Sequence, residues 1–381
     1  MSVLNNDIES FLQTTFNDLH HHAEVSWKEV WTTEYIKRLL TDWGLKPITF
    51  DDLTGLYVDI GSGSPVVGLR ADIDALWQEV GGEMRANHSC GHDAHMTMAL
   101  GVIQELLNKK IPKGTVRVIF QPAEETGKGA LEMVKRGVAD DLDFLYGVHL
   151  RPENELPNGY AGSSIRHHAA CFIKGTIDGE DAHGARPYMG PSAFQVGSDF
   201  GSKIERLSLK TFESYSAKIT QFQTIGQNPN IIAGKAEFSI DLRAQTNELM
   251  DALIEKIFAL ADGLSRYYGV PIHLKKEAFV AAAVVDREAE TFMKEAIEET
   301  LGAKYMAGAI KSTGGDDFHF YTVEKPKLKA TMLGLGCGLK PGLHHPDMTF
   351  DRRALLAGVR ILTRVVMKTL ESFGKGGERH G

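Results

Sequence analysis

The chain has 381 residues, of which 42 are basic and 50 acidic, so its net charge is −8. This length favours two domains, and the negative charge argues against nucleic acid or an anionic membrane surface as the partner. No run of residues approaches the roughly 18 apolar positions of a membrane helix, and no signal peptide is visible. The three cysteines, Cys90, Cys171 and Cys337, are widely spaced and odd in number. We therefore expect a protein of the reducing cytoplasm that has no disulfide framework.

The first part of the chain predicts alternating helices and strands. Helices are predicted at about 8–40 and 97–107, and strands at 56–60, 66–70, 116–120 and 142–148. The first two strands are separated only by Gly-Ser-Gly-Ser, which predicts a β-hairpin. The alternation predicts an α/β domain with a mainly parallel sheet. Residues that could ligate a metal or transfer a proton follow these strands. Open α/β sheets bind ligands at the carboxyl ends of their strands.

The pattern changes after Gly162. Strands are predicted at 169–177, 217–225 and 236–243, and helices at 192–207 and 247–268. Two helices on a small antiparallel sheet would form an α+β, ferredoxin-like module. His344 lies beyond this module, and yet it is the same type of possible metal ligand as the histidines of the first part of the chain. The simplest layout is therefore a catalytic domain (1–164 and 278–381) interrupted by an inserted domain (165–277).

Cys90 and His92 lie in the segment His-Ser-Cys-Gly-His-Asp-Ala-His at 88–95. Residues two apart do not share a helix face, so both side chains can converge only from a loop. Thiolate and imidazole are ligands that borderline-soft divalent metals prefer. A buried cysteine beside a capping histidine is the alternative, but Glu125, His149 and His344 offer further donors. Together they predict a two-metal hydrolase site assembled from distant loops.

Glu124 and Glu125 follow the predicted strand at 116–120. One carboxylate can ligate a metal while the other faces the cleft, and a free carboxylate beside a metal-bound water suits a general base. A solvated acidic loop is the alternative. Asp72 and Asp74 also follow a strand and lie on one side of it, where they could orient metal ligands or the base. Asp74 could instead cap a helix.

Two residues of the second part of the chain could contact a substrate. His183 is held in a turn by Gly184 and Pro187, and it could donate a hydrogen bond to a polarised carbonyl. Arg243 could bind a substrate carboxylate through its planar fork, although a surface ion pair is the commoner role for such a residue. The run His20-His21-His22 predicts no metal site, because adjacent side chains do not converge.

The motifs, taken in order, resemble the M20 metallopeptidase family in its amidohydrolase branch of aminoacylase, hippurate hydrolase and auxin-conjugate hydrolase types. The resemblance covers nearly the whole chain and rests on segments 69–76, 88–95, 121–125, 147–149, 182–187 and 343–344. It implies two divalent metal ions whose ligands are Cys90, His92, Glu125, His149 and His344, with Cys90 or a water bridging them. It also implies that Glu124 is the general base and acid, and that Asp72 supports the metal site.

The resemblance implies roles in the inserted domain as well. That domain would be a lid or a dimerisation domain, which allows a homodimer. His183 would stabilise the oxyanion, in its own or a neighbouring subunit's site, and Asn230 and Arg243 match positions that contact the substrate carboxylate. Where relatives often have Ser-Pro after the last ligand, this chain has His345-Pro346. We assign the ligand to His344, because it follows Leu343 in register.

The expected activity is hydrolysis of the amide bond of an N-acyl amino acid, a small-molecule substrate. The mixed thiolate, imidazole and carboxylate set suits Zn, Mn, Co or Ni. A dipeptidase or aminopeptidase with the same site is the nearest alternative, but it needs an acidic group for the substrate ammonium and none is evident. A non-catalytic binding homologue would have lost ligands or the base. A scaffold with one structural zinc would use four Cys or His ligands.

Overall fold

The computed structural model describes residues 2–226 and 228–376. Within these ranges the helices are α1 (Ser2–His21), α2 (Val30–Asp42), α3 (His92–Leu107), α4 (Gly129–Lys135), α5 (Ala193–Glu205), α6 (Asn247–Tyr268), α7 (Arg287–Leu301), α8 (His319–Glu324) and α9 (Ala354–Gly376). Short 3-10 turns occur at Glu124–Thr126, Pro187–Met189 and Ala303–Tyr305. None of the helices in the described ranges has the length and apolar character needed to cross a membrane.

The strands are β1 (Ile48–Thr49), β2 (Leu56–Ser62), β3 (Val66–Asp72), β4 (Leu76–Val80), β5 (Glu83–Asn87), β6 (Gly114–Gln121), β7 (Phe144–Pro152), β8 (Ala161–His167), β9 (Ala169–Asp178), β10 (Ala182–His183), β11 (Tyr215–Ile225), β12 (Ile231–Ile232), β13 (Lys235–Ala244), β14 (Ile272–Val280), β15 (Met306–Ser312) and β16 (Lys329–Leu339). The chain forms two compact units. Unit 2 comprises His167–Ala283 and Ser312–Gly315, and unit 1 comprises the other residues that the structure describes. The expected boundary at residue 277 falls inside β14, which pairs with β9 as far as Val280.

Unit 1 is built on an eight-stranded sheet in the order β1-β2-β6-β3-β7-β16-β8-β15. Its four central strands, β6, β3, β7 and β16, are parallel to one another. Strand β2 pairs antiparallel with β6, and β8 pairs antiparallel with β16. The predicted mainly parallel α/β fold is therefore confirmed.

The predicted hairpin of β2 and β3 is wrong. Strand β6 lies between them and pairs antiparallel with β2 and parallel with β3. Every residue of β3 and β6 is buried, so each of these strands needs a neighbour on both sides. A short connection through Gly63 and Pro65 carries the chain across the amino-terminal end of β6, where Thr115 N donates to Pro65 O at 2.8 Å. Strands β4 and β5 do form a hairpin, which the sequence pattern did not reveal.

The central strands of unit 1 have an apolar face and a polar face. Leu69 of β3 and Val148 of β7 belong to the main hydrophobic core, together with residues of α1, α3 and α9. Because successive side chains of a strand point to opposite faces, Arg70, Asp72 and His149 lie on the other face. These polar residues are nevertheless buried. The polar groups of unit 1 are thus gathered on one face near the carboxyl ends of β3 and β7.

Unit 2 contains an antiparallel sheet in the order β11-β13-β9-β14. Along the chain its main elements follow the order β9, α5, β11, β13, α6 and β14, which is the βαββαβ order of ferredoxin-like folds. Side chains from the sheet and from both helices form a second hydrophobic core, which includes Ile173, Phe200 and Phe238.

A glycine of β9 is needed for the packing of unit 2. A Cβ added to Gly175 would lie 2.1 Å from Cζ of Phe238, whose ring is buried and packs against Phe200 and Phe222. We therefore expect Gly175→Ala to lower the free energy of unfolding by about 1–3 kcal/mol through overpacking. Gly263, inside α6, has open space around its Cα. The control variant Gly263→Ala should raise that energy by about 0.5–1 kcal/mol. Thermal unfolding measures both, and a Tm for Gly175→Ala at or above wild type would contradict the packing argument.

Candidate metal centre

The ends of three neighbouring strands and the start of one helix bring the candidate residues together. Asp72 ends β3, the turn with Glu124 and Glu125 follows β6, and His149 lies in β7. Helix α3 begins at His92, directly after Gly91 in a left-handed conformation with φ of 88°. Because the carboxyl ends of adjacent parallel strands meet at one edge of a sheet, these segments converge there.

Cys90 belongs to two groups of possible metal donors. In one group it lies with His92 and His149, and in the other with Glu125 and His344. The donor atoms within each group lie within 4.8 Å of one another. Two of the separations are 3.6 Å, from Cys90 Sγ to His149 Nε2 and from Glu125 Oε1 to His344 Nε2. The structure thus places the five predicted ligands in one cluster, with Cys90 common to both groups.

The two buried histidines present their Nε2 atoms to this cluster. His92 Nδ1 lies 2.8 Å from Asp74 O, and His149 Nδ1 lies 2.8 Å from Leu150 O. A carbonyl oxygen only accepts, so each Nδ1 donates this hydrogen bond and Nε2 is the ring atom that can ligate a metal, which is the usual arrangement of a metal-binding imidazole.

Two buried atoms of the cluster lack hydrogen-bond partners in the described part of the chain, which indicates whether these residues could bind a cation. His92 Nε2 and Glu125 Oε1 are buried, and neither has a hydrogen-bond partner of normal geometry among the described residues. Buried polar atoms are nearly always satisfied, and both of these are electron-pair donors. A thiol, imidazoles and a carboxylate, two of whose atoms are unsatisfied, fit a divalent metal of the Zn, Mn, Co or Ni type.

The pKa shifts of the acidic groups in the cluster also favour a bound cation. Burial raises the pKa of the Glu124 carboxyl group, and the charges of Asp316 and Glu125 raise it further. Burial also raises the pKa of the Glu125 carboxyl group and of the Cys90 thiol. Ionised groups in such a site are costly unless a positive charge faces them. A bound cation would supply that charge.

His344, and not its neighbour His345, belongs to the cluster. His344 has a left-handed backbone with φ of 65°, its N–H donates to Ser89 O at 2.8 Å, and its carbonyl accepts from Gln78 Nε2 at 3.1 Å. These contacts tie it to the segment that leads into Cys90 and to strand β4. The ring of His345 instead accepts from Asp347 N through Nδ1 at 3.1 Å.

Asp72 acts together with a histidine that sequence reasoning missed. Its Oδ1 accepts from His95 Nδ1 at 2.7 Å, and His95 Nε2 accepts from Leu150 N at 3.1 Å. The carboxylate therefore fixes an imidazole that holds the backbone next to His149. The available signal was the spacing of His92 and His95, because residues three apart are neighbours on a helix surface.

A buried arginine, Arg70, bridges Asp72 and Asp317, which are distant in the sequence. Arg70 donates to Asp72 Oδ2 at 2.5 Å, to Asp317 Oδ1 at 2.7 Å and to Gln121 Oε1 at 3.0 Å. The Asp317 N–H in turn donates to Glu124 Oε1 at 3.3 Å. Arg70 therefore balances carboxylate charge on one side of the cluster and connects it to the backbone that orients Glu124.

In unit 2 the structure brings together the predicted oxyanion-stabilising residue His183 and one of the two predicted substrate-binding residues, Asn230. Gly184 N donates to Asn230 O at 2.7 Å, and His183 pairs with Ile231 across β10 and β12, so His183 and Asn230 are neighbours. Arg243 lies near the far end of β13. Its guanidinium donates to both oxygens of Asp241 at 2.8 and 3.0 Å. Arg243 is thus separated from the other two and already holds an ion pair.

Comparison with known proteins assigns the family. A model of peptidase family M20/M25/M40 matches residues 68–368. The chain belongs to this family. The N-acetylcysteine deacetylase of Bacillus subtilis (strain 168) is a relative that is 30% identical over 377 residues, an alignment that covers 93% of this chain and 96% of that protein.

Another relative is considerably longer than this M20 chain. A protein of Rhodococcus jostii (strain RHA1) that bears a glutamate–cysteine ligase name is 30% identical over 358 residues. The alignment covers 91% of this chain but only 45% of that protein, so the chain spans less than half the length of this relative.

A solved M20 structure has the same fold. The Bacillus subtilis YXEP protein, described as a dinuclear metal binding peptidase from the M20 family, superposes with a TM-score of 0.81 at 26% sequence identity. The superposition covers 96% of this chain and 99% of that one.

The Arg70 network should make a large contribution to stability. In Arg70→Met, Asp72 and Asp317 would lose their buried cationic partner, so we expect the free energy of unfolding to fall by about 3–5 kcal/mol. Arg364 of α9 forms a half-exposed ion pair with Glu299 and serves as the control. Arg364→Met should cost at most about 1 kcal/mol. Chemical denaturation of the metal-free proteins measures both, and equal losses would refute the special role of Arg70.

Proposed function

We propose that this M20 chain is a metal-dependent amidohydrolase that cleaves the amide bond of N-acyl amino acids into a carboxylic acid and a free amino acid. One observation carries the proposal: two donor groups share Cys90, and the buried carboxylate of Glu124 lies beside them. Glu124 Oε2 is 3.8 Å from His92 Nε2. The relation to an N-acetylcysteine deacetylase over nearly its whole length supports the substrate class.

Two divalent ions would be held by the five-residue cluster. Cys90, His92 and His149 would hold one ion, and Cys90, Glu125 and His344 the other, since each trio already has its donor atoms within 4.8 Å. The description of YXEP as a dinuclear metal-binding protein supports this number. When bound, the ions would supply Lewis-acid polarisation of the scissile carbonyl and acidification of water. Zn, Mn, Co and Ni all suit the donors.

Glu124 would move the protons of the reaction. Burial and neighbouring acidic groups raise the pKa of its carboxyl group, and a higher pKa makes the carboxylate a stronger base. The Asp317 N–H holds Oε1. Oε2 would take a proton from the attacking water, and the same group would return a proton to the leaving amine. Asp72 would act indirectly, because its contacts are to Arg70 and His95.

Unit 2 would serve as a lid or dimerisation domain and would supply residues that contact the substrate. His183 would donate a hydrogen bond to the oxyanion of the tetrahedral intermediate, and Asn230 and Arg243 would bind the substrate carboxylate. Arg243 lies at the opposite end of β13 from His183 and Asn230. A homodimer in which His183 serves the neighbouring subunit would accommodate this separation.

A panel of N-acyl amino acids and unmodified dipeptides tests the proposed function. The protein is stripped of metal, assayed for release of free amino acid, and assayed again after each of Zn, Mn, Co and Ni is restored. We expect metal-dependent release from the acylated compounds and little from the dipeptides. Cleavage of dipeptides alone would support a peptidase instead. No cleavage of either class by metal-loaded protein would contradict both activities.

Removal of the Glu124 charge separates catalysis from metal binding. We expect Glu124→Gln to lower kcat by on the order of 10²–10⁴-fold, because the amide cannot accept the water proton, while metal content stays at the wild-type level. Glu132, on the surface of α4, provides the control, and Glu132→Gln should keep wild-type turnover. Normal turnover in Glu124→Gln would exclude it as the base.

A further inference from the structure

Three consecutive backbone N–H groups around Glu124 are all bound by buried carboxylate side chains. Ala123 N donates to Glu29 Oε1 at 2.9 Å, Glu124 N donates to Asp74 Oδ1 at 3.1 Å, and Glu125 N donates to Asp74 Oδ2 at 3.1 Å. The turn that carries the proposed base and one proposed ligand is therefore fixed through its main chain by two acidic residues from distant parts of the sequence.

Glu29 is the less obvious of these two residues. It lies directly before α2, its side chain is fully buried, and it belongs to none of the possible metal-donor groups among the described residues. Its second oxygen, Oε2, accepts from Thr54 Oγ1 at 2.6 Å. Both carboxyl oxygens are therefore used, one to hold the catalytic turn and the other to hold Glu29 itself in place.

The turn needs such a restraint because Ala123 adopts a strained conformation. Its φ is 53°, in the left-handed region. Residues with a Cβ enter this region at a cost and stay there only when their surroundings hold them. The N–H of this residue is the one that Glu29 binds. The conformation of Ala123 sets the direction of the chain into Glu124, one residue later.

We propose that Glu29 is a positioning residue for amide hydrolysis, whose carboxyl group holds the Ala123 N–H and thereby aims the Glu124 side chain at the donor cluster. The catalytic consequence rests on the proposed function, whereas the effect on the turn does not. Burial raises the pKa of the Glu29 carboxyl group to about 7, so a neutral carboxyl group is tolerated at this position. A protonated Glu29 can still accept from Ala123 N through one oxygen.

Two substitutions separate the hydrogen bond from the charge. Glu29→Ala removes the acceptor for Ala123 N. Glu29→Gln keeps it, because the amide oxygen can accept from Ala123 N while the NH₂ group donates to Thr54 Oγ1. Ile36, fully buried on α2, provides a control for general destabilisation through Ile36→Ala. If Glu29→Ala does not fold, Thr54→Val loosens the same carboxyl group from its other side.

The variants are compared as metal-loaded proteins by steady-state kinetics on an N-acetyl amino acid and by amide hydrogen exchange of residues 123–125. We expect Glu29→Ala to lower kcat by on the order of 10²-fold with KM nearly unchanged and with faster exchange in the turn. Thr54→Val should also lower kcat and speed the exchange of the turn, but by smaller factors. Glu29→Gln should restore both to within about threefold of wild type, because the acceptor is kept.

Three results would overturn the proposal. They are unchanged exchange of the turn in Glu29→Ala, a kcat in that variant within twofold of wild type, and an equal loss of kcat in Ile36→Ala at a similar Tm. If wild type hydrolyses no substrate, the proposed function fails, but the exchange experiment still tests whether Glu29 holds the turn. The two failures are therefore distinguishable.

Discussion

The structure of unit 1 depends on how it accommodates several carboxylates buried at one edge of its sheet. A charge inside a protein is tolerated only when it is paired or hydrogen bonded. Arg70 pairs with three of these carboxylates, and backbone N–H groups satisfy Asp74. The remaining negative charge faces the cluster around Cys90, where atoms are left unsatisfied. The carboxylates concerned are Asp72, Asp74, Glu124, Asp316 and Asp317, together with Glu125, whose side chain is 10% exposed.

The contacts of these buried carboxylates connect the stability of the fold with the geometry of the donor cluster. The same polar contacts that stabilise the carboxylates also fix the donor atoms, because the carboxylates reach across strands. Asp72 fixes His95, which holds the backbone beside His149, and Asp74 holds the backbone of Glu124. A site built in this way is organised before substrate arrives, and pre-organised groups are the ones that stabilise a transition state most effectively. The apolar face of the sheet provides the rigid support through its packed core.

The sequence predicted what depends on local spacing and composition. The alternation of strands and helices indicated the α/β fold, and the clustered Cys and His residues indicated where the donors lie. It did not predict which strands pair, because alternation reports burial and not the identity of the neighbour, and the hairpin expected of β2 and β3 does not form. Nor could it predict the Arg70–Asp317 pair, whose members are 247 residues apart, or the contact of Glu29 with Ala123. Both contacts depend on the complete fold.

The proposed metal centre requires that Cys90 be shared by two metal ions. The most direct test is the metal content per chain, measured after reconstitution and removal of free metal, in wild type, Cys90→Ala and the control Cys337→Ala. Cys337 is buried in the core and belongs to neither donor group. The shared position of Cys90 predicts two ions per chain in wild type and in Cys337→Ala, and a loss from both positions in Cys90→Ala. Two ions retained by Cys90→Ala, or fewer than two in wild type, would contradict it.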